Sequence, residues 1–179
     1  MPKILDSMRE QLLETARRQI AQNGYANTTI RSVAAECGIA VGTVYNYYPS
    51  KDMLIATFVS EDWHARMDPI AEYADEDAKT HLRRIYDALC AFIDDFRPLF
   101  SDADAAKAYH AAFAQRHGQL RDQLAALSLP VCGNDPDGAF LSEFIAESLL
   151  TWTREGKPFD DIYQLIQRLI KEEREETKT

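Results

Sequence analysis

The chain has 179 residues, 46% of them hydrophobic and 27% charged, proportions that exclude whole-chain disorder and suit a globular protein. Seven glycines and seven prolines are too few for a collagen-like or low-complexity chain, and no apolar run approaches the roughly 20 residues of a membrane span. The net charge of −9 is uneven, with six basic and five acidic side chains in residues 1–60 against 14 and 24 in residues 61–179, so the acidic remainder would repel a polyanion that the first sixty residues could meet.

The opening MPKILDSMREQ has no apolar stretch of secretory length, and a cytoplasmic location is the expectation. Ser7-Met8-Arg9-Glu10 fits a capping box. Met8, Leu12, Ala16 and Ile20 then recur at four-residue steps, with Gly24 as a stop. Thr28 or Thr29 can cap a second helix, in which Ile30, Val33, Ala34 and Cys37 keep helical spacing, and Gly38 suits its C-terminal end. Val41, Val44, Tyr45 and Tyr48 repeat that spacing in a third helix, closed by Pro49. Ser50 can cap a fourth, running from Lys51 through Phe58 beyond Trp63.

The rest also reads as helix. Leu82, Ile85, Tyr86, Leu89, Ile93 and Phe96 form a stripe that is expected to end at Pro98. Residues 103–127 hold one or two alanine-rich helices. Residues 129–138 read as a loop, with Pro136 at the first position of the next helix. That helix carries Phe140, Leu141, Phe144, Ile145, Leu149, Leu150 and Trp152 nearly all around its axis. Gly156-Lys157-Pro158 breaks it, and a last helix presents Phe159, Ile162, Tyr163, Ile166, Leu169 and Ile170 before a charged tail. The reading is all-α, about nine helices, without strand-like alternation or internal repeats.

Cys37, Cys90 and Cys132 are odd in number and widely spaced, which argues against a disulfide framework or zinc site and for small buried residues. His64, His81, His110 and His117 are scattered. No metal, no cofactor and no catalytic set are expected.

Residues 29–37 and 40–48, two short helices about a glycine turn, make a helix-turn-helix candidate. At about 100° per residue, Val44, Tyr48 and Val41 share the inward face of the second helix. Gly42, Thr43 and Asn46 share the other, flanked by Tyr45 and Tyr47. Asn46 can read an adenine edge in the major groove and Thr43 a thymine methyl. The tyrosine hydroxyls, Thr28 or Thr29 and Lys51 suit phosphates.

The run from Gly24-Tyr25 through Thr28-Thr29-Ile30 to Gly42-Thr43-Val44-Tyr45-Asn46-Tyr47-Tyr48-Pro49-Ser50-Lys51 closely resembles the DNA-binding domain of TetR-family transcriptional regulators, over roughly residues 8–58. The resemblance implies that Thr28 and Thr29 cap the second helix near a phosphate. It puts Gly42, Thr43, Asn46 and Tyr47 in the groove, Tyr45 and Lys51 on the DNA backbone and Tyr48 in the core. Where the family often has Ser-Lys before this glycine, Ala40-Val41 drops a hydroxyl and a cation.

It further implies a three-helix DNA-binding domain at 1–50 and a helical effector-binding and dimerisation domain at 51–179. An unknown small molecule would lie among Trp63, Tyr86, Phe92, Phe96, Phe100, Tyr109 and Phe113. The last two helices would pair two protomers through Leu141, Ile145, Leu149, Trp152, Ile162, Ile166 and Leu169. The expected partners are double-stranded operator DNA, a second copy and the effector, with no membrane and no enzymatic activity. A helical interaction module without DNA binding and an all-α enzyme stand as the alternatives.

Overall fold

The structure, a computed structural model, describes the backbone of residues 2–73, 77–133 and 136–176 and the side chains of 7–72, 77–105, 118–133 and 137–170. In chain order the helices are α1 (Pro2–Asn27), α2 (Ile30–Glu36), α3 (Val41–Tyr47) and α4 (Lys51–Met67). After a 3₁₀ segment (Asp68–Tyr73) come α5 (Ala78–Phe100), α6 (Ala103–Cys132), α7 (Pro136–Arg154) and α8 (Phe159–Glu176). No strand occurs among the described residues, and no helix among them is long and apolar enough to cross a membrane.

The chain divides into two compact units, Met1–His64 with Asp95–Phe113, and Ala65–Asp94 with Ala114–Thr179. In the first, Leu12, Ala16, Val33, Val44 and Ile55 are buried, and the Phe58 ring stacks on Phe96 at 6.1 Å. In the second, Leu82, Ile85, Leu89, Leu124, Ile145 and Ile166 are buried. His81, also buried there, donates from Nε2 to the Leu127 carbonyl oxygen at 2.7 Å, since a carbonyl can only accept.

Several boundaries differ from the sequence reading. The helix expected to open at Ser7 already begins at Pro2, a residue whose missing N–H is harmless in a first turn. Gly24 does break α1, at φ +77° and ψ 173°, and a last helical turn follows it. Pro98 does not end α5, which continues to Phe100: it has no N–H of its own to donate, but the Ser101 N–H beyond it still closes onto the Arg97 carbonyl oxygen at 3.0 Å. Asp102 then caps α6, its Oδ1 accepting the Asp104 and Ala105 N–H groups at 2.9 Å. Pro130 is likewise inside α6, which continues to Cys132 through the first part of the expected loop. The three cysteines form no disulfide with one another and are half-buried, more open than the expected small core residues.

Two expected clusters are redistributed. Leu141, Ile145, Leu149, Ile162 and Ile166 are buried within the chain itself, so these five side chains are covered by their own protomer. Sequence could not separate the stripes because α7 is apolar nearly all round. Among the described residues, the large apolar side chains that α7 and α8 expose are Phe140 (73%), Phe144, Leu165 (49%) and Leu169, with Trp152 half-buried. Among the expected pocket residues, Trp63 and Phe96 are buried in the first unit and Phe92 in the second. Tyr86 is occupied otherwise: its hydroxyl donates to the Lys157 carbonyl oxygen at 2.8 Å and its ring lies 5.5 Å from Phe159. Phe100 is exposed, and the side chains of Tyr109 and Phe113 lie outside the described residues.

Candidate DNA-binding surface

The surface is built on a short, well-terminated pair of helices. Thr29, in extended conformation, caps α2: its Oγ1 accepts the Ser32 N–H at 3.0 Å while Ser32 Oγ accepts the Thr29 N–H at 3.0 Å. This reciprocal box satisfies two donors that a helix start would otherwise leave open. At the other end Gly38 takes φ +68°, a left-handed conformation that favours glycine. The Gly38 and Ile39 N–H groups turn back onto the Ala35 and Ala34 carbonyl oxygens. That turn delivers the chain into α3, whose N-cap Ala40 offers no side-chain hydrogen bond. The absent cap agrees with the Ala40-Val41 departure seen in the sequence.

In α3, Val44 is fully buried and Tyr48, at its C-terminal end, is buried behind it. Asn46 and Gly42 are exposed, Thr43, Tyr47 and Val41 are half-exposed, and Tyr45 is 51% exposed. A Cβ placed on Gly42 would meet nothing within 4 Å, so this edge of the helix is open to close approach. Tyr45 and Asn46, exposed side by side on a seven-residue helix with Thr43 and Tyr47 half-exposed on either side, contribute little to a core. Their chemistry instead suits a surface that is read by hydrogen bonding and stacking.

Thr28 does not belong to that surface. It is buried, its hydroxyl donates to the Gly24 carbonyl oxygen at 2.9 Å, and its N–H turns to Tyr25. It closes the turn between α1 and α2 from behind, which corrects its expected place at a phosphate; Thr29, exposed, keeps the outward position.

Lys51, at the start of α4, is half-buried. Its ammonium donates to the Tyr25 carbonyl oxygen at 2.9 Å and lies 3.5 Å from the centroid of the Tyr25 ring. The Tyr25 hydroxyl in turn donates to Asp52 Oδ1 at 2.6 Å. Burial, with this bond to a carboxylate second, pushes the Tyr25 hydroxyl well above the ordinary tyrosine range. Tyr25 and Asp52 were not singled out in the sequence, although Tyr25 follows directly on the Gly24 turn.

Most of the basic charge of this region is spent internally. Arg9 pairs with Glu61, Arg18 with Glu36, and Arg17 with Asp62 at 3.0 Å while lying over the Phe58 ring. Arg31 is exposed on α2. The surface is therefore nearly neutral, and recognition on it would depend on shape and hydrogen bonds more than on bulk attraction.

Residues 12–57 match the family model of bacterial regulatory proteins, tetR family. Among curated proteins, the HTH-type transcriptional regulator YuxN of Bacillus subtilis is 39% identical over 49 residues, 27% of this chain and 17% of that protein. The fatty acid metabolism regulator protein of the same bacterium is 30% identical over 69 residues, 38% and 34% of the two chains. The chain thus matches about a third or less of the length of these relatives. Solved structures extend the likeness to the whole fold. A transcriptional regulator from Cytophaga hutchinsonii superposes with a TM-score of 0.64 at 16% identity, over 91% of this chain and 96% of the other. A TetR-like regulator from Rhodococcus sp. RHA1 gives 0.54 at 19% identity over 91% and 93%.

Proposed function

We propose that this chain, a tetR-family regulatory protein whose residues 12–57 carry that family's signature, is a homodimeric, sequence-specific DNA-binding repressor released by a small-molecule effector. The observation that supports the reading is the outward set of Gly42, Thr43, Tyr45, Asn46 and Tyr47 on a helix anchored from behind by Val44 and Tyr48. In this reading α3 enters the major groove, Asn46 and Thr43 meet base edges, and Tyr45, Tyr47 and Thr29 meet phosphates on the walls. Lys51 adds a cation at the groove's edge, oriented by Tyr25. Residues 1–50 act as the DNA-binding domain and 51–179 as the effector-binding and dimerisation domain.

Two such heads read a pseudo-palindrome when they are spaced about 34–36 Å apart or at a multiple of that distance. The dimer contact is assigned to Phe140, Phe144, Leu165 and Leu169, the apolar side chains that α7 and α8 leave exposed. An effector releases DNA only if it binds the DNA-free conformation more tightly than the bound one. Because α4 follows the head within three residues of Tyr48, a tilt of α4 is the simplest way to alter the spacing of the heads.

Selection of bound fragments from a random oligonucleotide pool, followed by a gel shift on the DNA flanking its own gene, tests the reading. A palindromic consensus whose half-sites lie about one turn apart is the expected result. Recovery of no sequence, or equal shifts on scrambled DNA, would remove the regulator and favour the interaction module.

A further inference from the structure

Gln19 lies on the buried side of α1, 7% exposed, beside Leu12, Ala16 and Ile20 and one turn beyond the buried Thr15. Its amide reaches two points on α2, one turn apart. Ser32 Oγ is 2.7 Å from Gln19 Oε1, and Gln19 Nε2 donates to Glu36 Oε2. The Ser32 hydroxyl has a single proton, which it divides between Gln19 and the Thr29 carbonyl oxygen 2.8 Å away. The other Glu36 oxygen accepts from Arg18. The Gln19 bond is the largest of the causes holding the Glu36 carboxyl below its ordinary range.

This arrangement answers a mechanical need. α2 has seven residues and buries Ile30, Val33 and Ala34. So small an apolar row gives attraction but little direction, and a helix held that way can roll or slide. Two hydrogen bonds from one buried amide to positions four residues apart on the same face fix both motions. α2 passes its orientation to α3 through the Gly38 turn, so a roll of α2 would re-aim Asn46 and Thr43.

We infer that Gln19 is a positioning residue for operator recognition, its amide fixing the rotation of α2 on α1 and thereby the aim of α3. The inference rests on the DNA-binding reading given above.

The test uses the full chain, an operator fragment recovered by selection, and a scrambled duplex of equal length. Gln19→Glu keeps shape but removes the donor and sets a carboxylate against Glu36. Gln19→Glu/Glu36→Gln restores a donor from the opposite side and returns the net charge to that of the wild type. The single variant should bind operator roughly tenfold more weakly relative to scrambled DNA. The double variant should recover to within about threefold of the wild-type ratio. Hydrogen–deuterium exchange without DNA supplies the second readout: faster exchange over residues 30–47 in the single variant, restored in the double. A loss shared equally by scrambled DNA, a double variant no better than the single, or unchanged exchange would overturn the inference. Should Gln19→Glu fail to fold, the double variant decides, supporting the inference if it keeps operator preference and protection and overturning it otherwise. If the wild type selects no sequence, the regulator reading and the operator role fall together, while the exchange comparison still reports whether the clamp exists.

Discussion

Lys51 and Tyr25 meet twice, through a 2.9 Å hydrogen bond from the ammonium to the carbonyl oxygen and a 3.5 Å approach of the same ammonium to the ring centroid. The two contacts tie the first residue of α4 to the turn that ends α1. They also limit the volume through which a flexible four-carbon side chain can move, so a phosphate would find the charge already in place.

Removing that side chain should therefore have two separable effects. Lys51→Ala loses a charge-assisted bond and a ring contact, and should lower stability by about 1–2 kcal/mol. It should weaken operator and scrambled DNA alike and reduce the slope of log affinity against log salt by about one. Chemical denaturation and a salt titration of binding measure the two. An unchanged salt slope would leave Lys51 a purely structural residue.

Asn46 gives the opposite signature. Its side chain is exposed, so Asn46→Ala should leave the melting temperature unchanged. Preference at one base position should relax by about 1–3 kcal/mol while the salt slope stays the same. Binding to a panel of operators substituted one base pair at a time checks this. Equal discrimination by both proteins would remove Asn46 from the groove.

The legibility of this head in the sequence has a physical basis. Local signals determine it: a threonine with a serine three residues on, a glycine in left-handed conformation, and a valine–tyrosine spacing that leaves one orientation for α3. Where two local signals compete, sequence could not choose. Thr28 and Thr29 are both good caps, and only the course of the preceding turn sends one inward to Gly24. The same limit applies to Pro98 and Pro130, whose effect depends on whether the turn around them still closes, as it does through the Ser101 and Gly133 N–H groups. It applies again to α7, whose apolar residues cover too much of the axis to reveal which stripe faces the core. Gln19 did leave a trace, as a polar residue seven positions after Leu12 on a face it shares with Ala16 and Thr15, but its partners lie on another helix.

Tyr25, Tyr48 and Tyr86 give the protein a defined alkaline limit. Burial is the leading cause of a raised hydroxyl pKa in all three, and pushes Tyr86 up to about 12. An unfolded tyrosine ionises near pH 10, roughly. Above that pH the folded chain holds protons that the unfolded chain has lost, so stability falls as pH rises. The melting temperature should be level up to about pH 10 and then decline through the region of the Tyr86 value. Tyr86→Phe, which keeps the ring on Phe159, should make the decline shallower. Equal slopes for the two proteins over this range would mean that Tyr86 is not held protonated by the fold.

Gly138 is required by close approach. A Cβ there would lie 2.6 Å from the Gly133 carbonyl oxygen and 3.0 Å from that of Cys132, and backbone cannot swing aside as a side chain can. Gly138→Ala should cost about 1–3 kcal/mol. Gly118→Ala, in α6 with nothing within 4 Å of the new carbon, should stabilise by about 0.4–1 kcal/mol. Thermal denaturation of the pair separates crowding at the start of α7 from the general effect of replacing glycine in a helix. A Gly138 variant as stable as the wild type would show that this turn can open without cost.

The proposed dimer is tested by contrasting two neighbours on α7. Phe144 is exposed and Ile145 is fully buried, so substitutions one residue apart should fail in different ways. Ile145→Ala opens a cavity in the protomer and should cost about 2–5 kcal/mol, with the association state kept as long as the chain folds. Phe144→Glu, and Leu165→Glu on α8, place a charge in a surface that association would desolvate, and should yield folded monomers. Sedimentation reads the mass. The wild-type melting temperature should rise with protein concentration, as it must when association and folding are coupled, and that of the two glutamate variants should not. Monomers should also lose most of their operator affinity, because one head gains nothing from the second half-site. Dimers that survive both glutamate substitutions would place the contact elsewhere, and the exposure of Phe140, Phe144, Leu165 and Leu169 would then need another cause.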